Sequence, residues 1–256
     1  MHDFKTEVAQ RVATYSQDSS LRAAATAFMD ASLAARYSYN FSWMGRPIIQ
    51  YPQDIVAMQE LLWQVKPDLV IETGIAHGGS LVLSASVLAL IEYAEAAQSG
   101  ELLNPSKPRR RVVGLDIDIR NHNREAIEAH PMASRISMIQ GSSVDPTVVG
   151  QVRAIAAEHR RVMVCLDSNH SHAHVQAELE AYAPLVSVGS YCVVFDTVVE
   201  HMKPGSFADR PWDKGNNPMT AARAYLANHP EFTIDHQIDH RLQLSVAPEG
   251  YLLRSS

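Results

Sequence analysis

Cysteine is nearly absent: the chain's 256 residues contain two, Cys165 and Cys192, with no CxxC pair. That excludes a disulfide framework and a cysteine-based zinc site. Both thiols lie in apolar runs, where a buried, reduced sulfur is expected, and this suits a cytoplasmic protein. A basic surplus is lacking too, since the formal net charge is −6. The one dense basic run, Lys107 with Arg109, Arg110 and Arg111, directly precedes an apolar strand and reads as a solvated loop edge. A nucleic-acid partner needs a basic face and is not expected. No apolar run approaches the length of a membrane span, and the opening stretch MHDFKTEVAQRVATY holds no apolar core of the kind a secretory signal carries. No membrane partner is expected, and the location is expected to be cytoplasmic. Internal repeats and low-complexity tracts are missing. So is the GxGxxG dinucleotide fingerprint, which argues against a nicotinamide oxidoreductase.

What is present is 46% hydrophobic residues, enough for one sizeable core with an N-terminal extension. Residues 1–50 differ from the rest. An Ala-rich helical stretch, 21–35, leads to the aromatic segment Tyr37-Ser-Tyr-Asn-Phe-Ser-Trp43. The next segment, Met44-Gly-Arg-Pro-Ile-Ile-Gln-Tyr-Pro52, is broken by proline and glycine. The region reads as a helical extension and lid, with a subunit contact as its other use; a homo-oligomer is expected. From 51 to 256 the pattern is regular. Asp54 is placed to cap a helix over 55–65. Strands at 69–72, 112–116, 136–140, 162–167 and 191–196 alternate with helices near 81–97, 123–130, 145–158, 173–183 and 218–228. Tail strands follow at 232–238, 242–246 and 251–253 with no helix between them. This alternation predicts a doubly wound, mostly parallel α/β sheet covered by helices on both faces, closed by an antiparallel C-terminal hairpin.

In such sheets ligands bind beyond the C-terminal strand ends, at the switch point. Polar or glycine-rich residues stand at those ends. The first turn, Thr73-Gly-Ile-Ala-His-Gly-Gly-Ser80, lets the backbone approach a ligand through Gly74, Gly78 and Gly79, and offers free N–H groups at Ser80. Glu72 just ahead of it suits a cationic or amino-bearing ligand better than a pyrophosphate, and this favours S-adenosylmethionine, which carries an ammonium and a sulfonium. His77, inside the turn, is a cofactor-binding candidate, expected to hydrogen-bond locally there and not to act as a catalyst. Asp116 is placed to accept from ribose hydroxyls; helix capping is its competing role, and Asp118 is the second candidate. Ser142 and Ser143 form a polar turn suited either to an adenine edge or to a helix start. Asp167 and Asp196 end neighbouring strands and repel unless a cation lies between them; a hard divalent ion such as Mg²⁺ with oxygen ligands fits, with Thr197 as a further oxygen. The alternative is that one of these aspartates caps a helix. His170 follows within reach of the same pocket and suits a general base. A zinc site from His170, His172 and His174 is less well supported, and the last two read as surface or capping residues.

Taken together these residues resemble the cephalosporin hydroxylase (CmcI-like) family. The resemblance is carried by Trp43-Met-Gly-Arg-Pro-Ile-Ile-Gln-Tyr-Pro-Gln-Asp54, Lys66-Pro-Asp-Leu-Val-Ile-Glu-Thr-Gly74, Gly78-Gly-Ser80, Leu166-Asp-Ser-Asn-His170, Tyr182-Ala-Pro-Leu-Val186 and Val194-Phe-Asp-Thr197. It spans roughly 40–254. It implies the class I S-adenosylmethionine methyltransferase fold and kinship with magnesium-dependent sugar O-methyltransferases. By position it implies a methionine-end pocket at Glu72, Gly74 and Ser80, a ribose acid at Asp116, metal ligands at Asp167 and Asp196, and a general base at His170. Many relatives have a second acid beside the later aspartate, whereas here the neighbours are Phe195 and Thr197, so that Thr197 or a water is expected to fill the gap.

The expected activity is methyl transfer to an oxygen of a hydroxylated small molecule, a sugar or natural product. A hydroxylase or hydroxylase partner, and a non-catalytic S-adenosylmethionine-binding protein, are the alternatives. The acceptor pocket is expected between the N-terminal aromatic segment and the stretch 202–215, with Trp43, Phe207 and Trp212 as candidate stacking residues.

Overall fold

The computed structural model describes residues 2–206 and 209–256. The chain opens with helices α1 (His2–Tyr15) and α2 (Ser19–Ala34), the second capped by the Asp18 carboxylate. A small antiparallel hairpin follows, β1 (Phe41–Trp43) with β2 (Arg46–Ile48). Then come α3 (Pro52–Val65), β3 (Leu69–Thr73), α4 (Gly79–Ser99), β4 (Arg111–Asp116), α5 (Asn121–Glu128), β5 (Ile136–Gln140) and α6 (Pro146–Ala157). The second half runs β6 (Val162–Leu166), α7 (His172–Tyr182), β7 (Tyr191–Val194), α8 (Pro218–Leu226), β8 (Phe232–Ile234), α9 (His236–Leu242) and β9 (Tyr251–Arg254).

A seven-stranded sheet in the order β5-β4-β3-β6-β7-β9-β8 organises the chain. The strands from β3 to β7 are parallel, and β9 runs antiparallel to both β7 and β8. β3, β6 and β7 are buried along their whole lengths, as expected of strands covered on both faces. Successive strands step outward from β3 through β4 to β5, and then β6 returns to the other side of β3. The switch point therefore lies between the ends of β3 and β6, at Gly74 and Asp167.

Four readings change. Asp54 is not the cap of α3: Pro52 takes the first helical position and starts the helix earlier, after Tyr51. The fully buried Asp54 carboxylate instead accepts from Ser245 Oγ (2.6 Å), Val246 N (2.9 Å) and Tyr251 Oη (2.8 Å), and burial pushes its pKa up to about 6. The tail pairs antiparallel as expected, but a helix, α9, separates β8 from β9, and 242–246 forms no strand. Asp235 caps α9 through Gln237 N. The basic run is only partly solvated. Arg110 pairs with Glu95 at 2.6 Å and donates to the carbonyls of Lys66 and Pro67 (both 3.0 Å), closing the 100–110 loop against the body. Finally, the 21-residue α4 is long and apolar enough by composition to cross a membrane. Here it is apolar all round because it is a core helix: residues from Leu81 to Leu88 are buried, and its Glu92 makes a buried pair with Arg135 at 2.8 Å.

Candidate active site

The glycine turn between β3 and α4 is shaped by contact. Gly74 has φ +88°, and a Cβ there would lie 2.0 Å from the Asp167 carbonyl oxygen, so only glycine allows the ends of β3 and β6 to meet this closely. Gly79 is pressed against the N-terminal hairpin, where a Cβ would lie 2.3 Å from the Pro47 carbonyl oxygen. Asp116, at the end of β4, holds the turn: its carboxylate accepts from Ile75 N (2.8 Å) and Ala76 N (3.3 Å), and from Asp118 N (3.0 Å). Asp116 thus caps neither α4 nor α5, and it lines the cleft while bracing the glycine turn. Glu72, buried on β3, accepts from the Ser80 hydroxyl, and burial pushes its pKa up to about 7. The His77 carbonyl accepts from Arg46, and the residue lines the cleft.

The cleft has two lobes that share Gly74. The larger, about 160 Å³, is lined by Gly74, Leu115, Asp116, Ile117, Ser142, Ser143, Ser168, Asn169 and His174. The smaller, about 40 Å³, lies between the 47–50 segment and Gly74, His77, Gly79, Ser80 and Asp167. His174, read from sequence as a surface or capping residue, instead stands in the wall of the larger lobe. Its Nε2 lies 3.0 Å from Ser143 Oγ, 3.2 Å from Ser168 Oγ and 3.4 Å from the carboxylate of the buried Glu178. Its spacing of four from Glu178 on a helix was the available signal.

Beyond β6 and β7, Asp167, His170 and Asp196 converge. One ligand atom from each lies within 4.8 Å of the others, and His170 Nε2 is 3.0 Å from Asp196 Oδ2. Burial, and then the facing Asp196, hold the Asp167 carboxyl well above the ordinary carboxylate range. Asp196 has φ +55°, a left-handed conformation that aspartate tolerates better than most residues, and it starts the short helix Thr197–His201. Thr197, expected beside the cation, is fully buried and its hydroxyl donates to the Pro248 carbonyl at 2.6 Å. The third group that the geometry brings to the pair of aspartates is His170.

Trp212 packs edge-on against His170, with ring centroids 4.8 Å apart, and Arg210 lies over the Trp212 ring at 5.3 Å. The excursion that carries Trp212 is tied to α7, where His172 N donates to Asn216 Oδ1 (3.0 Å) and His172 Nδ1 meets Thr220 Oγ1 (2.8 Å). Trp43 donates to Ser86 Oγ on α4 at 2.9 Å. Phe207 lies outside the described residues.

Comparison with known proteins gives this arrangement a lineage. The family model described as rhamnosyl O-methyltransferase/CmcI matches residues 35–255. The chain belongs to the rhamnosyl O-methyltransferase/CmcI family. It is 27% identical over 221 residues to a rhamnosyl O-methyltransferase of Mycobacterium tuberculosis H37Rv, covering 84% of this chain and 78% of that one. It is 28% identical over 216 residues to the rhamnosyl O-methyltransferase of Mycobacterium leprae, covering 83% and 82%. Among solved structures, CmcI with magnesium and S-adenosylmethionine superposes with a TM-score of 0.56 at 18% identity, over 85% of this chain and 78% of that one. That likeness establishes the methyltransferase α/β fold.

Proposed function

We propose that this protein is an S-adenosylmethionine-dependent, divalent-metal-assisted O-methyltransferase whose acceptor is a hydroxylated small molecule, with sugar hydroxyls first among the candidates. The observation that carries the reading is the position of Asp167, which borders the smaller lobe of the cleft and is also one of the three groups in the Asp167–His170–Asp196 cluster. One residue thus joins the cleft at the glycine turn to a metal-competent group.

The residues fit both ligands. The larger lobe offers Asp116, Ser142 and Ser143 to a nucleoside, and the smaller has the buried acid Glu72 behind Ser80, where a cationic group offsets the burial of the carboxylate. The carboxylates of Asp167 and Asp196 form a hard oxygen pair suited to Mg²⁺ or Mn²⁺, with the His170 imidazole beside them. When bound, the sulfonium cofactor supplies the methyl group, and the cation lowers the pKa of the acceptor hydroxyl. The chain does the rest. Asp167 and Asp196 hold the metal side, and the His170 imidazole, paired through Nε2 with Asp196, takes the acceptor proton. Asp196 and Trp212 orient the imidazole from two sides. Trp212 also offers an apolar face to an acceptor ring. Pro47, Ile48, Ile49 and Gln50 close the smaller lobe, which supports a lid role for the C-terminal end of the 1–50 extension and leaves residues 51–256 as the catalytic domain. A cytoplasmic setting goes with this reading, because Cys165 and Cys192 are buried free thiols; so does assembly of like chains, which light scattering would measure.

Calorimetry with S-adenosylmethionine, with and without Mg²⁺, followed by a methyl-transfer assay on deoxysugar and other hydroxylated acceptors, tests the proposal. Saturable cofactor binding and chelator-sensitive methylation are expected. Failure to bind the cofactor, or full activity in excess chelator, contradicts it.

A further inference from the structure

The smaller lobe contains a polar group with no partner. Gln50 is 3% exposed, lines the lobe opposite Ser80 and Asp167, and its Oε1 has no hydrogen-bond partner among the described residues. Buried carbonyl oxygens are rarely left unpaired, because desolvation without a donor is costly. The amide is held in place from both sides. Upstream, Arg46 donates to the His77 carbonyl (Nε, 3.0 Å) and to Asn123 Oδ1 (3.0 Å), and Pro47 and Ile48 press on Gly79. Downstream, the Tyr51 hydroxyl shares a 2.6 Å hydrogen bond with Ser32. The anchored segment thus sets one unsatisfied acceptor in the wall of a small cavity that is also lined by Ser80, itself bonded to Glu72.

We propose that Gln50 is a cofactor-binding residue that reads the α-amino-acid end of S-adenosylmethionine, its Oε1 accepting from the ammonium; this rests on the methyltransferase reading above. An ammonium has three protons to donate. Gln50 supplies a neutral acceptor in the wall of the lobe, and Glu72 stands behind Ser80, to which it is bonded. The adenosine portion belongs to the larger lobe, where Asp116, Ser142 and Ser143 stand, so the Gln50 amide discriminates by the tail of the cofactor and not by its nucleoside.

The test uses two ligands that differ only in that tail. S-adenosylhomocysteine carries it; 5′-methylthioadenosine keeps the adenosine thioether and lacks it. Both are titrated into the wild type and into Gln50→Met, which keeps length and bulk but removes the amide, the weaker ligand being read by competition against the stronger. The ligand-free proteins are melted in parallel, and Gln50→Leu replaces the methionine variant if the latter does not fold. The expected result is an S-adenosylhomocysteine affinity weakened about 10- to 100-fold, the range for a hydrogen bond to a charged group. The 5′-methylthioadenosine affinity should stay within about twofold, and the ligand-free melting point should be unchanged or raised. Unchanged S-adenosylhomocysteine affinity overturns the proposal. Equal weakening of both ligands also overturns it, because Gln50 then shapes the cleft as a whole. A wild type that binds neither ligand fails differently: it removes the methyltransferase reading itself.

Discussion

The cofactor side and the acceptor side of this cleft are both built from acids at strand ends, yet they are satisfied in opposite ways. On the cofactor side Asp116 accepts three backbone N–H groups and Glu72 accepts the Ser80 hydroxyl. Those carboxylates are tied into the protein before any ligand arrives. On the acceptor side Asp167 is half-buried facing Asp196, and the group that bridges toward them is an imidazole. Like charges in that arrangement are held together by the fold against their own repulsion. In the proposed reading the strand-end acids of the cofactor half are partnered as folded, whereas those of the acceptor half await a cation. Preorganised polar groups at one end and an unfinished donor set at the other are what a metal-assisted transfer site requires.

The largest expected effect comes from breaking the unfinished half. Asp167→Ala should lower kcat/KM by about 10³-fold or more while changing S-adenosylhomocysteine affinity only a few-fold, measured by steady-state kinetics and calorimetry. His170→Ala should cost about 10²- to 10⁴-fold in kcat, the range for a lost general base. If the imidazole acts instead as a metal ligand, the Mg²⁺ affinity of this variant falls together with kcat, which direct Mg²⁺ titration separates.

Glu72 sharpens the comparison from the finished side. Its folded pKa, about 7, lies above the ordinary 4.5, so the folded protein holds an extra proton between those values. The stability from this group is complete below pH 4.5 and is lost as the pH rises through about 7. Glu72→Gln should raise the ligand-free stability at pH 8 by up to about 3 kcal/mol while weakening S-adenosylhomocysteine binding. Denaturant melts of both proteins at pH 5 and pH 8 check the sign: the gain is expected at the higher pH and largely absent at the lower. The smallest effect is expected at Trp212. Trp212→Ala should raise the acceptor KM by a few-fold and lower kcat less, as the loss of one aromatic contact predicts.

Much of this molecule was legible in its sequence because the central strands are uninterrupted apolar runs, such as Val162 to Leu166, flanked by glycine and acid. The helices after them carry clear periodicity or caps, and their bounds moved by only a few residues. The edges were not legible. The hairpin β1–β2 has strands of three residues, one containing Pro47, too short and irregular for an alternation to show. The seven-residue α9 is mostly polar, so its only sequence signal was the Asp235 cap, and a β-rich reading of 232–238 ran straight through it. At the site, the strand-end acids could be named because topology fixes where strand ends go. Gln50 could not, and His174 carried only its helical spacing to Glu178, because the place of each depends on what folds back over it: the glycine turn in one case and the Ser143 turn in the other. Thr197 shows the reverse. It is adjacent in sequence to a metal-competent aspartate, but its hydroxyl belongs to the Pro248 carbonyl.

The central claim is that Asp167 and Asp196 hold a cation beside the cofactor cleft. Titration of Mg²⁺ into the S-adenosylhomocysteine-bound wild type and into Asp167→Ala tests it most directly. Saturable one-site binding to the wild type that disappears in the variant is the predicted result; equal binding by the two proteins, or none by the wild type, would contradict it.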